Sequence, residues 1–181
     1  MRKRSGLILS LMLSLSACGG APSQNDPVLS ERDLDIEKFF DGHLVAQGQF
    51  QDVFGKVRRQ FVVDIRGNWD GERLRLVEDF VYEDGSKEQR VWTLKKTGPE
   101  TWEGTAPGVI GKAVGVEQGD RFNWRYTIDL PVPSAEGPQP PVRVTFDDWI
   151  WLMEDGRAFN RAYMSRYGVR VGDVSIWFEK R

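Results

Sequence analysis

Three segments in which apolar side chains alternate with polar ones fill the stretch from Phe61 to Leu94, divided by Asn68-Trp69-Asp70-Gly71 and Glu83-Asp84-Gly85-Ser86. A period of two marks a strand with one buried face. Both dividers carry Asp-Gly, whose tolerance of positive φ suits a tight hairpin, so the stretch predicts an antiparallel meander. The same rhythm runs on either side of it. It predicts ten strands, with cores at 43–51, 57–67, 73–82, 88–97, 101–106, 112–118, 121–130, 142–153, 158–167 and 170–179. Phe54-Gly55, Thr97-Gly98-Pro99, Gln118-Gly119-Asp120, Glu154-Asp155-Gly156 and Tyr167-Gly168 supply further turns.

Alternation also says which residues share a face. Phe61, Val63 and Ile65 stand opposite Asp64 and Arg66, and Leu74, Leu76 and Phe80 opposite Arg73, Arg75 and Asp79. Phe122, Trp124, Tyr126, Ile128 and Leu130 oppose five polar residues, and Val142, Val144, Phe146, Ile150 and Leu152 lie together. An open sheet of this width would leave an apolar face uncovered, whereas closure removes the edges and buries that face. The expected fold is therefore all-β, a single up-and-down antiparallel barrel of about 8–10 strands over residues 30–181.

Two segments depart from the rhythm. Ser30 to Asp41-Gly42 predicts a short helix, with Ser30 and Asp33 as a capping arrangement and Leu34, Ile36, Phe39 and Phe40 on one side. So short a helix is marginal alone, so it is expected to close one end of the barrel. Pro131 to Pro141 carries five prolines and predicts a stiff connector, with docking of a partner to it as the alternative.

The chain begins with Arg2, Lys3 and Arg4 followed by a short apolar run, Leu7 to Leu15. This predicts an export signal over 1–17. Leu15-Ser16-Ala17-Cys18 resembles the bacterial lipobox, so Cys18 is the expected site of acylation, and 18–29 the lipidated cysteine with a flexible Gly/Pro/Ser tether. The alternative is an ordinary signal peptide containing a cysteine. Two or three acyl chains hold a protein at a membrane where one chain binds only marginally. Gly19, in place of an aspartate, leans to the inner leaflet of the outer membrane, facing the periplasm.

Composition fits this picture. Hydrophobic residues make up 40% and there are seven tryptophans, enough for a large core in one domain. The only cysteine is the one in the lipobox, so stability must come from packing, without a disulfide. Without the three N-terminal charges, 22 basic residues face 27 acidic ones, a net charge of −5 with no basic stripe, which argues against nucleic acid. One histidine, His43, without thiol ligands gives no zinc site, and Asp147-Asp148 would point to opposite faces, so no metal and no cofactor is expected. Gly111, Gly115, Gly119 and Gly172 read as bulges and turns.

The informative exceptions are polar residues on apolar faces. Glu78 falls in register with Leu74, Leu76 and Phe80, and Asp148 with Phe146, Ile150 and Leu152, so both carboxyls would point inward. A buried carboxylate needs a partner or a proton. Arg90, Arg125, Asn160 and Arg161 are candidate partners. Glu78, Arg90, Trp124, Tyr126, Asp148 and Asn160 are the candidate ligand-binding residues, and a structural ion pair is the alternative role for the charged ones. Trp149 and Trp151 would face outward, unless the helix covers them or a bulge inverts their parity.

Several short motifs in order resemble a family. Phe39-Phe40-Asp41-Gly42 with Ala46-x-Gly48, then Trp69-x-Gly71, Glu78 to Gly85 (EDFVYEDG) and Arg90 to Leu94 (RVWTL), begin the match. Gly104-Thr105-Ala106, Gly111-x-Ala113-x-Gly115, Asn123-Trp124-Arg125-Tyr126, Phe146-Asp147-Asp148-Trp149, Asn160-Arg161 and Met164-Ser165-x-Tyr167-Gly168 continue it. The chain resembles the proteobacterial lipoproteins grouped as domain of unknown function 3833, over about residues 36 to 180. The resemblance implies an exported lipoprotein with a lipocalin-like (calycin-like) barrel and implies no reaction. Three readings follow: a monomeric membrane-anchored barrel binding an apolar or amphipathic, lipid-like molecule; an envelope scaffold acting on a protein partner through its outer surface; and a hydrolase-like enzyme using Glu78 and Asp148.

Overall fold

Glycines with φ of 78°, 98°, 78° and 83° at Gly55, Gly71, Gly85 and Gly156 let the chain reverse between consecutive strands, as the turn signals require. A computed structural model describes residues 20–131, 137 and 139–181 of the 181. Its strands are β1 (Gly42–Asp52), β2 (Val57–Trp69), β3 (Arg73–Tyr82), β4 (Lys87–Lys96) and β5 (Thr101–Thr105). They continue with β6 (Ala113–Gln118), β7 (Arg121–Leu130), β8 (Val142–Leu152), β9 (Ala158–Arg166) and β10 (Val169–Lys180). Each pairs antiparallel with its sequence neighbour, and β1 pairs with β10 from Leu44↔Lys180 to Asp52↔Gly172. The result is a closed up-and-down barrel, the fold the alternation predicts.

The inward rows form the core: Leu44 and Ala46, Val63 and Ile65, Leu74, Leu76 and Phe80, Trp92 and Leu94, Phe122, Trp124, Tyr126 and Ile128 of β7, and Val144, Phe146, Ile150 and Leu152 of β8 are buried, while Leu130 and Val142 are half-buried. Phe61 is only half-buried, because its place in β2 is near the open rim. Where the wall must make room for rings, it uses glycine. A Cβ at Gly104 would stand 2.9 Å from the Trp124 ring, and one at Gly115 would stand 2.5 Å from both Phe122 and Trp124. Gly115 therefore lies within a regular strand and is not a bulge, whereas Gly172 does sit at a register shift of β10 against β9.

The helix is shorter than expected. α1 covers only Ile36–Phe40, its N-cap is Asp35 without a side-chain capping bond, and Ser30 instead accepts a hydrogen bond from the Arg32 N–H in a local turn. Leu34 N–H donates to the Gly119 carbonyl, so this segment is drawn onto the β6–β7 turn and cannot close helical bonds of its own. α1 does close one end of the barrel. The Phe40 ring packs edge-on against Phe178 at 5.4 Å, and the Phe40 carbonyl lies where a Gly67 side chain would be.

The chain before α1 is strapped along the outer wall. Arg121, 1% exposed, donates to the Asp120 carboxylate at 2.7 Å, to the Ser23 carbonyl at 3.1 Å and to the Pro27 carbonyl at 3.0 Å. Asp120 accepts from Leu29 N–H, and Glu117 from Ile36 N–H at 3.1 Å. The tether expected over 18–29 is thus held to the barrel from Ser23 onward. The signal segment, Cys18 and most of Pro131 to Pro141 lie outside the described residues.

The strap also explains a tryptophan. Trp149 keeps its outward parity, with unbroken register to Asn123 and Arg161, yet it is 2% exposed. Gln24 reaches the Val116 carbonyl, and Val116 is the register partner of Asn123, so the strap crosses this corner of the wall. Trp151 stacks on Trp149 and is only half-buried.

Removing the strap's anchor should be costly. Arg121→Met leaves Asp120 buried without its counter-charge and is expected to destabilise by about 3–5 kcal/mol in denaturant unfolding, with new protease cleavage in 23–34. A loss under about 1 kcal/mol, with no new cleavage, would show that the strap is held by other contacts.

Candidate functional site

Ten strands enclose more room than the inward side chains fill, and the remainder is a cavity of about 350 Å³. Its floor is apolar and buried, built from Ile36 and Phe40 of α1 with Leu76, Leu94, Phe122, Ile150 and Phe178. Its opposite rim is half-exposed and includes Phe50, Arg59, Phe61, Tyr82, Glu88 and Leu130. The mouth therefore lies at the end away from the helix.

Between floor and rim lies a polar belt set by strand register. Inward positions on β3 run Leu76, Glu78, Phe80, Tyr82 toward the mouth, and those on β4 run Leu94, Trp92, Arg90, Glu88. Glu78 is directly opposite Arg90 in the ladder. On the far wall, Tyr126 of β7 donates its hydroxyl to Asp148 Oδ2 of β8 at 3.2 Å. The two walls meet through Trp92, whose ring packs edge-on against Tyr126 at 5.0 Å and against Trp124 at 5.7 Å.

All six candidate residues, Glu78, Arg90, Trp124, Tyr126, Asp148 and Asn160, line this cavity. Their hydrogen bonds differ from expectation. Arg90 donates to Glu88 at 2.9 Å, so Glu88 and not Glu78 is its contact partner. Arg125 and Arg161 face outward, onto Asp147 and Asp173. Asn160 spends its amide N–H on the Trp149 carbonyl, a structural bond at 3.0 Å. Among the described residues Glu78 makes no hydrogen bond, and Asp148 Oδ1 is buried without a partner. Asp147 and Asp148 point to opposite faces as strand geometry dictates, and His43 pairs on the outer wall with Asp64 at 2.6 Å.

Residue alternation, followed two residues further, would have found the rim. Glu88 shares parity with Arg90 and Trp92, Tyr82 with Phe80, and Arg59 with Phe61. These form one cluster: the Tyr82 hydroxyl donates to Glu88 at 2.8 Å, and the Arg59 guanidinium lies 3.3 Å over the Tyr82 ring.

Burial sets the protonation of the belt. It pushes Glu78 up to about 7, with Arg90 opposing and Glu88 adding to the rise. It likewise pushes Asp148 up to about 7, against the Tyr126 hydrogen bond and Arg90, with Asp147 and Glu78 reinforcing. Tyr82 is raised to about 12 by burial and by its bond to Glu88. Arg90 stays charged: its burial works against the charge, but Glu78, Tyr126 and Glu88 hold it above its ordinary value. Near neutral pH the belt therefore holds an arginine paired with Glu88 and two carboxyls poised between acid and carboxylate.

A carboxyl whose folded pKa exceeds its unfolded value binds extra protons when folded, so stability is present at low pH and lost as pH rises from about 4 through about 7. Unfolding free energy is expected to fall by roughly 2–5 kcal/mol between pH 5 and 8, and Glu78→Gln and Asp148→Asn should each remove about half of that fall. A wild-type profile that is flat or rising over this interval would mean that both carboxyls ionise against a counter-charge.

Comparison with known proteins bears on the fold and the family. The structure of an S-type phycobiliprotein lyase, CPES, from Guillardia theta is similar, with a TM-score of 0.57 and 12% identity over 80% of this chain and 89% of that one. At that identity the likeness is one of fold, a lipocalin-like barrel. No curated protein matches the sequence. The family described as protein of unknown function, DUF3833, matches residues 12–180. With nearly the whole chain covered, this protein belongs to the DUF3833 family.

Proposed function

We propose that this protein is a lipid-anchored envelope barrel that binds an apolar or amphipathic, lipid-like small molecule in its interior. The observation that carries this reading is the cavity itself: about 350 Å³, closed by α1 at one end, half-open at the other, walled by aromatic rings and carrying few polar groups. Small-molecule sites have this character, with volumes of about 300–1,000 Å³ and a small number of placed polar side chains. A barrel acting only as a scaffold would have no need of an apolar space with unpartnered carboxyls at mid-depth.

One observation favours a second reading. On the outer wall Trp151 stacks on Phe159 at 6.0 Å, and Phe159 packs on Trp177 at 4.8 Å, with Trp177 47% exposed. An aromatic row of this kind suits contact with a protein partner. Surface substitutions there, such as Trp177→Ser, would disturb the scaffold function and leave the interior untouched.

The anchor belongs to the same proposal. Acylation of Cys18 would place the barrel on the periplasmic side of the outer membrane, and the lipobox resemblance with Gly19 supports that placement. Cys18→Ser is expected to yield an unprocessed or soluble product that incorporates no labelled palmitate. Normal processing and membrane fractionation of the variant would overturn the anchor.

The cavity is tested by filling it. Ala162 is buried and lines the cavity. Native mass spectrometry of wild type is expected to show a co-purifying lipid-like molecule, and Ala162→Phe should abolish it while keeping the barrel folded by circular dichroism. Because Trp92 and Trp124 line the same space, ligand loss should also shift tryptophan emission. Equal retention of a bound molecule by the filled variant would move the ligand out of the barrel, and a wild type that carries and takes up none would leave the scaffold reading.

A further inference from the structure

The charges that face the cavity do not balance within the protein. Arg90 is matched by Glu88 at 2.9 Å, and the second oxygen of Glu88 accepts the Tyr82 hydroxyl. Arg59 lies at the rim, over the Tyr82 ring and donating to the Ser86 hydroxyl at 2.8 Å. Asp147, beside Asp148 in sequence, is on the outer face with Arg125 and Asn123. That leaves Glu78 and Asp148, two inward carboxyls on opposing walls. Among the described residues one makes no hydrogen bond, and the other has a buried oxygen without a donor.

Carboxyls left this way in an apolar site favour a ligand that brings what they lack. A fatty acid head at this depth would add a third negative group beside them, since Arg90 is already engaged by Glu88 and Arg59 lies farther out, at the rim. A hydroxyl would satisfy one oxygen and bring no charge. A protonated amine brings three donors on a compact cation, both the hydrogen bonds and the charge that these carboxyls lack. The rings of Trp92, Trp124 and Tyr126 pack on one another around the belt and keep it away from bulk water, which strengthens the attraction of a cation to the two carboxyls. Below the belt, toward α1, the walls are apolar at Leu76, Leu94, Phe122 and Ile150, and the one polar side chain at that level among the described residues, Asn160, is engaged by the Trp149 carbonyl.

We propose that the cavity takes an amphipathic amine, with its ammonium group between Glu78 and Asp148 and its apolar body directed to the floor formed by α1. This rests on the reading of the barrel as a ligand-binding vessel, and it names the class of head group that vessel selects. The molecule enters body first through the rim, where Arg59 and Glu88 are half-exposed, and its head comes to rest at mid-depth.

Three twelve-carbon probes that differ only in the head test this: dodecylamine, dodecanol and dodecanoate, each titrated below its aggregation concentration at pH 8 and followed by tryptophan fluorescence. Dodecylamine is expected to bind about tenfold or more tightly than either of the others. Glu78→Gln and Asp148→Asn should each bring the amine down to the level of dodecanol, and circular dichroism confirms that the variants are folded. If a variant does not fold, the order of the three probes on wild type still decides. Dodecanol or dodecanoate binding as tightly as the amine would overturn the amine while leaving the cavity reading intact. If none of the probes bound, and none displaced a co-purifying molecule, the cavity reading itself would fall and the amine with it.

Discussion

Closing ten antiparallel strands through the β1–β10 ladder commits one face of every strand to a shared interior, and that interior is wider than side chains alone fill. Eight strands already make a barrel just wide enough for its own side chains. The rest of the structure answers this surplus of space. Large rings take up much of it, and those of Phe122 and Trp124 fit because the adjoining strands carry glycine at Gly104 and Gly115. The helix takes up more at one end, admitted by the missing side chain of Gly67. What remains is the cavity, which opens at the end where, among the described residues, no helix is placed over the strands.

The two ends of the barrel differ for a reason that lies in the β6–β7 turn. Asp120, Arg121 and Glu117 are buried polar groups whose hydrogen bonds go to the backbone of the segment before α1. Each would lose a charge-assisted hydrogen bond if that segment came away, so the strap and the helix are held where they are by bonds from charged side chains to their backbone. Glu117 and Glu37 share the Lys96 ammonium at 3.0 and 2.6 Å, which ties the helix to β4 as well. The floor is therefore fixed by ion pairs to the segment that covers it.

Much of this was legible in the sequence because period-two alternation and Asp-Gly turns are local signals. Ten strands, the closed barrel and the inward faces of Glu78 and Asp148 follow from them. The helix was misread from Ser30 because its competitor is not local: the Gly119 carbonyl, far along the chain, takes the Leu34 N–H. Arg121 illustrates the same limit. Its parity is outward, as the pattern says, but an outward residue becomes a buried one when another segment is laid over it. The Arg90 partner was a near miss of a different kind, since register opposes Glu78 to Arg90 while rotamer and reach join Arg90 to Glu88. Register decides neighbours, not which carboxylate a long guanidinium selects.

The cost of the belt gives the cavity its meaning. Two carboxyls on apolar faces, both pushed up to about 7, lower the stability of the empty barrel at neutral pH, and Gln or Leu at either position would have avoided that loss. The other buried acids show that this chain satisfies such groups when their role is structural. Asp120 has Arg121 and a backbone N–H, and Glu117 has Lys96 and a backbone N–H. Among the described residues Glu37, Glu117 and Asp120 each have a cation within hydrogen-bond reach, whereas Glu78 and Asp148, which face the space, have none. Where the structural acids hold a counter-charge from the protein and these two cavity acids do not, the completing group is one that arrives from outside.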